Sequence, residues 1–232
     1  MKTINKIQGI LALSLFAFLA SAQSDKVSIK FAPLALVDEV SMPTIQGGIE
    51  VKLSNRISWY NEVGFKYRKC VNETSDTPFV DSRGYKLKTE VRYHLKGIKV
   101  GIYKEPATGY YVGANAFYVN DYHNTMVNYS EQTAKSVIKQ DAFGVHKQVF
   151  GINLLIGYQN AIYKNFLIDI YAGVGVRMRV VNTVNKEFNK DTDSICQTID
   201  FNVLGIRDYV DAAGGTSVVP SITGGVRLCY RF

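Results

Sequence analysis

The feature that most constrains this chain is a two-residue alternation of apolar and polar side chains that recurs along most of its length. It is clearest between Phe166 and Val180. There Phe166, Ile168, Ile170, Ala172, Val174, Val176, Met178 and Val180 are all apolar. The residues between them include Asp169, Tyr171, Gly173, Gly175, Arg177 and Arg179. Successive strand residues point to opposite faces, so the stretch reads as a strand with one greasy and one polar side. It is longer than a typical soluble strand of about 5–6 residues. A tilted strand needs only roughly 9–11 residues to cross a bilayer.

The same alternation predicts seven more strands: Val27 to Leu36, Pro43 to Leu53, Ile57 to Tyr67, Tyr85 to Leu95, Tyr110 to Val119, Lys147 to Tyr158 and Val218 to Phe232. In the fourth of the chain, Tyr85, Leu87, Val91, Tyr93 and Leu95 oppose Lys86, Lys88, Glu90, Arg92 and His94. In the last, Ile222, Val226, Leu228, Tyr230 and Phe232 oppose Thr223, Arg227, Cys229 and Arg231. Val27 to Leu36 and Tyr110 to Val119 alternate less regularly. Pro33 confines the first of them to a strand end, an edge or a bulge. The total is eight, and single-chain bacterial barrels have even strand numbers.

The predicted connections alternate in length as well. Ser54 to Arg56 and Gln159 to Asn165 are short, whereas Arg68 to Gly84, Asn120 to His146 and Val181 to Ser217 are long. Short turns on one side and long loops on the other are the outer-membrane arrangement. Val37 to Met42 is shorter and Lys96 to Gly109 longer than that rule asks. The expected fold is therefore all-β, an eight-stranded antiparallel transmembrane up-and-down β-barrel. A secreted β-sandwich also alternates. Its polar faces are rarely so long and so charged, and it has no reason to finish a strand on an aromatic residue.

The first residues read as a secretory signal. Lys2 and Lys6 form a basic start, Gly9 to Ala20 an apolar core, and Ala20-Ser21-Ala22 a small-residue cleavage site. The apolar core is too short to span about 30 Å of hydrocarbon as a helix. The expected organisation is a signal peptide over 1–22 and a barrel over 23–232, the mature chain starting at Gln23 and residing in the cell outer membrane. The formal net charge is +7, and removing the two leader lysines leaves +5. The basic residues are scattered singly, with no basic run of the kind that grips nucleic acid.

The last strand carries a resemblance. It ends in Phe232, with Tyr230 and Leu228 at alternate positions before it. This is similar to the C-terminal assembly signal of outer-membrane proteins. With the leader and the loop pattern, the chain resembles small eight-stranded outer-membrane barrels of the OmpA/OmpX type. Segments such as Gln46-Gly47-Gly48-Ile49-Glu50 and Gly109-Tyr110-Tyr111-Val112-Gly113 add to that likeness. The resemblance implies outer-membrane lipid and lipopolysaccharide as surroundings, the outer-membrane assembly machinery as a partner, and a monomer. Its long loops would meet an unidentified surface ligand.

The inward faces are expected to hold a lumen charge network of Glu50, Lys52, Glu62, Lys86, Glu90, Arg92, Asp169, Arg177 and Arg227. The pattern leaves two readings of it, a selective pore for small solutes and a salt-bridged plug. An eight-stranded barrel is just wide enough for side chains to fill, and buried charges must pair. That favours the plug and a structural or surface-interaction role.

A lipid-modifying enzyme would need a histidine beside a nucleophile. His123 and His146 flank a predicted loop, but spacing alone supplies no partner, so no catalytic residue is assigned and the chain is not expected to be an enzyme. Cys70 and Cys196 fall in or beside long loops, where a disulfide is allowed in an oxidising compartment. Cys229 sits in the last strand, facing inward. Three scattered cysteines have no metal-binding spacing. Neither a metal nor any other cofactor is expected.

Overall fold

The computed structural model describes residues 27–37, 42–67, 83–95, 109–131, 138–189, 191–195 and 214–232. The leader, the predicted cleavage at Gln23, Cys70, Cys196 and most of the connections over 68–84 and 96–109 lie outside the described residues.

The strands are β1 (Val27–Phe31), β2 (Thr44–Lys52), β3 (Ile57–Lys66), β4 (Arg83–His94), β5 (Gly109–Glu131), β6 (Ile138–Tyr163), β7 (Phe166–Val184), β8 (Asp193–Ile195) and β9 (Gly215–Arg231). Each of β1 to β6 pairs antiparallel with the next, β7 pairs with β9, and β9 returns to β1. These eight strands close a ring, and the three-residue β8 lies outside it on the far end of β5. Closure runs from Ser28 opposite Arg231 to Phe31 opposite Leu228.

Ring closure leaves every strand with an inside and an outside, and the sequence decides which is which. Ile29, Ile45, Val63, Leu87, Val91, Val112, Ile152, Leu154, Ile170, Val174, Ile222 and Leu228 are exposed on the outer wall. Glu50, Glu62, Glu90, Arg92, Asp169 and Arg227 are buried in the lumen. Rings cluster towards both ends of the apolar wall. Tyr110 packs on Tyr158 at 4.8 Å, and Tyr230 lies between Phe166 and Phe232, each 5.1 Å away. Tyr118 packs on Phe150 at 4.6 Å nearer the long-connection end.

Three expected boundaries are corrected. The first strand stops at Phe31, not Leu36, and gives way to a 3-10 turn over Pro33–Val37. Pro33 has no N–H for a ladder, so the strand ends before it. The connection expected from Asn120 to His146 is mostly strand. β5 runs for 23 residues and β6 for 26, paired from Gly109 opposite Gln159 to Ser130 opposite Ile138. The connection expected from Val181 to Ser217 is shortened at both ends and contains β8.

The extension of β5 and β6 makes an arm beyond the ring. Val127, Tyr129, Phe143, Val145, Val181 and Phe188 form a buried apolar cluster inside it. The strap leading to β8 is pinned there by the N–H groups of Glu187 and Phe188, both donating to Asp141 Oδ2 at 2.8 Å.

Candidate functional site

The lumen at the height of the outer apolar wall is filled by charged side chains from six strands. Lys30 of β1 donates to Asp169 of β7 and meets Glu50 of β2, both at 2.7 Å. Arg92 of β4 binds Glu90 on its own strand at 2.6 Å and Asp169 at 2.8 Å. Arg227 of β9 reaches Glu62 of β3 at 3.1 Å and Glu90 at 3.2 Å. Lys88 closes the set on Glu62 at 3.0 Å. Four cations thus meet four carboxylates, so the cluster is neutral as a whole.

Tyrosines fill the gaps between these charges. Arg92 lies over the rings of Tyr60 and Tyr111, 5.0 and 4.5 Å from their centres. Arg227 lies over Tyr60 and Tyr171 at 4.6 and 3.7 Å. The ring faces attract cations, which matters because Arg92 Nη2 and Arg227 Nη1 have no hydrogen-bond partner. The hydroxyl of Tyr111 donates to Asp169 and that of Tyr60 to Glu62, at 2.8 and 2.5 Å. Gly157 opposite Tyr111 is small for a reason: a Cβ there would collide with the Tyr111 ring.

Chemically this is a plug. Each charge is desolvated and held by two or more partners from different walls, a geometry that resists removal of any one member. Glu50, Glu62, Glu90, Arg92, Asp169 and Arg227 come together in it. Three residues assigned to the same network from sequence lie elsewhere. Lys52 sits half-buried one inward position nearer the short-turn end. Lys86 is above the plug and donates to the Met42 carbonyl at 2.8 Å. Arg177 lines a cavity above the plug. Sequence reading passed over Lys30 and the tyrosines. Tyr60 shares its parity with Glu62 and Tyr171 with Asp169, which was the signal available.

The three histidines are placed as follows. His94 Nε2 is 3.0 Å from Ser58 Oγ, but the Ser58 hydroxyl donates to Glu50 at 2.5 Å and Ser58 is fully buried. A serine whose proton is already directed to a carboxylate, with no room for a substrate, belongs to the plug. His123 Nδ1 is 3.2 Å from Asp121 Oδ2, and Asp121 also accepts from Lys66 at 2.8 Å. His146 stacks on Tyr122 at 4.0 Å and bonds Asn120 at 2.8 Å. Cys229 is buried inside the wall.

Residues 10–195 match the family model described as Protein of unknown function (DUF3575). The chain belongs to that family. The matched stretch covers the strands from β1 to β8 and stops short of β9, the strand that closes the ring. None of the curated proteins matches the chain.

β9 also carries Leu228 and Tyr230 at the short-turn end, and Phe232 follows its last residue. All three face outward, and the N–H of Phe232 donates to the Val27 carbonyl at 3.3 Å.

Proposed function

We propose that this member of the family is an integral outer-membrane β-barrel of a Gram-negative bacterium, related in kind to the OmpA/OmpX barrels. In this reading the leader is cleaved before Gln23 and the protein is a non-enzymatic monomer. Its axial path is blocked, and its working surface is the arm of β5 and β6 with the adjoining connections, presented to a surface ligand.

The observation that carries the reading is the inside-out polarity of the ring. A water-soluble protein rarely exposes a contiguous apolar patch beyond a few hundred Å². Here exposed Ile, Leu, Val and Phe surround the whole ring, while the charges are hidden within. Only helices and closed barrels satisfy their backbone groups in hydrocarbon, and a closed eight-stranded ring with an apolar outside meets that condition.

The test is to express the full chain with its leader and fractionate the cells. The protein is expected in the outer-membrane fraction, resistant to carbonate extraction, starting at Gln23, and migrating faster on gels when unheated. Recovery as a soluble periplasmic protein with no heat-modifiable band would overturn the reading. Deleting Phe232 is expected to lower the assembled amount in cells more than it lowers the stability of refolded protein. Polar changes at the interface cost only about 0–1 kcal/mol.

Small-solute passage is the competing reading, and the plug argues against its axial form. Planar-bilayer recordings of the wild type are expected to show no large steady conductance.

A further inference from the structure

The ring does not close to the same height all the way round. β1 has five residues and β9 has seventeen. Their register ends at Phe31 opposite Leu228. Above that point β9 still pairs with β7 as far as Gly215, but no described strand pairs with its other edge. The 3-10 turn Pro33–Val37 stands where the rest of β1 would be.

The direction of the free backbone groups follows from two bonds. The N–H of Arg231 donates to Asn165 and that of Phe232 to Val27. Odd positions of β9 therefore face β7 and even positions face β1. The β7–β9 register has no shift between Phe166 opposite Tyr230 and Val181 opposite Gly215, so the alternation holds upward. Pro220, Ile222, Gly224 and Val226 turn their free edge to the seam. Proline has no N–H to offer, and within sheets it is confined to such edges. Pro220 sits where a fully paired eighth strand would forbid it.

The seam lies at the height of the apolar wall, where Ile222 is 84 % exposed and its partner Val174 is 64 % exposed. Unpaired backbone at that depth is tolerated only where it is buried in protein or lines a wet cavity. Such a cavity is present. It has a volume of about 430 Å³ and lies above the plug. That is within the ~300–1,000 Å³ of small-molecule sites. Its lining takes Ser221 and Thr223 from the inner face of β9 and Ile222 and Val226 from the outer face, so the space reaches around the free edge. Ala35 of the turn borders it on the other side.

The cavity also holds a cation that has no anion among the described residues. Arg177 lines it, its Nε is buried with no hydrogen-bond partner, and it makes no ion pair with any described residue. Glu62, the carboxylate in the same wall, is already bound by Lys88 and Arg227.

We propose that the seam between β9 and the 3-10 turn is a lateral opening to the bilayer, and that the cavity behind it binds an anionic single-chain amphiphile. The head, a carboxylate or phosphate, sits on Arg177. The tail leaves sideways past Ala35 and Gly224, because the plug closes the way down. The inference rests on the membrane reading for the source of its ligand, a fatty acid or a lysophospholipid.

The test uses the folded full-length mature protein in phosphatidylcholine nanodiscs, with 11-(dansylamino)undecanoic acid as the probe. One saturable site per chain is expected. Palmitate displacing the probe identifies a fatty-acid site, and lysophosphatidylglycerol displacing it better identifies a lysophospholipid site. Hexadecanol, which has no charge, is expected to displace it poorly. Arg177→Ala should weaken binding by about tenfold or more, Arg177→Lys should restore most of it, and Ala35→Trp should block it, each variant keeping its heat-modifiable band.

Absence of saturable binding to folded wild type, equal affinity in Arg177→Ala, or equal displacement by hexadecanol overturns the proposal. A soluble, non-inserting wild type would instead overturn the membrane reading. The same titration in solution would then decide the cavity ligand separately, with Arg177-dependent binding supporting it and its absence ending it.

Discussion

Along β5 and β6 the same alternation has opposite meanings at the two ends. In the lower half the even positions Ile152, Leu154 and Ile156 are apolar and exposed, and the odd positions Asn115 and Asn153 are polar and buried. In the upper half the parity of the buried side is unchanged but its chemistry is reversed. Val127, Tyr129, Phe143 and Val145 are odd, apolar and buried, while Asn128 and Gln140 are even, polar and exposed. One hairpin thus has two insides. Backbone geometry is continuous between them, so the difference lies in the side chains; in the membrane reading proposed above, hydrocarbon would select apolar residues on the outer face of the lower half and water polar ones on the upper. The outer face changes just above Tyr118 and Phe150, where the membrane reading would put an interfacial aromatic girdle. The two halves are also held differently, the lower by a charge cluster and the upper by an ordinary apolar core.

The largest expected effect comes from the lower half. Asp169 is completely buried and is shared by Lys30, Arg92 and Tyr111. Asp169→Ala removes that common partner and leaves four buried cations facing three carboxylates, which costs about 3–5 kcal/mol. Urea titration of refolded barrel, read by the heat-modifiable band, is the measurement. A loss under about 1 kcal/mol would mean that the cations find other partners and the plug is not what holds the lumen.

An effect of similar size but different reach is expected in the upper half. Phe143→Ala opens a cavity in the arm's cluster, a loss of about 3–5 kcal/mol. Because that cluster does not touch the plug, the loss is expected to appear as local opening. Hydrogen exchange should accelerate over Val127–Tyr129 and Phe143–Val145 while the barrel's urea midpoint stays in place. If the midpoint falls as far as it does in Asp169→Ala, the two halves form one cooperative unit and the division drawn above is wrong.

How much of this was legible in the sequence follows the same division. Strands such as β4, β7 and the lower part of β9 were legible because their outward wall carries apolar residues at nearly every second position. The arm was not, because its buried face inherits the parity of a polar lumen face, so alternation read as loss of pattern near Asn120 and His146. Most of the plug's members were found from parity alone. Their pairing was not, since Lys30 and Asp169 are 139 residues apart and meet only across a closed ring. Lys30 itself was hidden in a strand of five residues that stops at Phe31, too short to show a period. The seam could not be foreseen either. Pro33 marked a strand end, but only the register reveals that Pro220 faces the vacated edge.

A matched pair of arginine substitutions locates the boundary between the halves. Leu154 is 71 % exposed, midway between the rings of Phe150 and Tyr158 on β6. If lipid surrounds that height, Leu154→Arg costs about 2–4 kcal/mol, the depth-dependent penalty of a charge on a barrel's lipid face. The comparison is read from the shift in urea midpoint at constant slope.

Its partner, Gln140→Arg, carries the smallest expected effect and the most information about the boundary. Gln140 is on the same strand, at the same parity and also exposed, opposite Asn128, whose Oδ1 accepts from its side chain at a long 3.4 Å. Losing so weak a bond costs little, and an added charge in water costs little more, so the change should stay within about 0.5 kcal/mol of wild type. Strand, face and introduced residue are common to both variants, so beyond the side chain lost the difference between them is the medium. Equal and large penalties would put the arm in lipid and move the boundary to its tip. Equal and small penalties would put Leu154 in water and remove the membrane from the account of both halves. A penalty at Leu154 alone places the water–lipid boundary between the two positions, where the alternation changes its meaning.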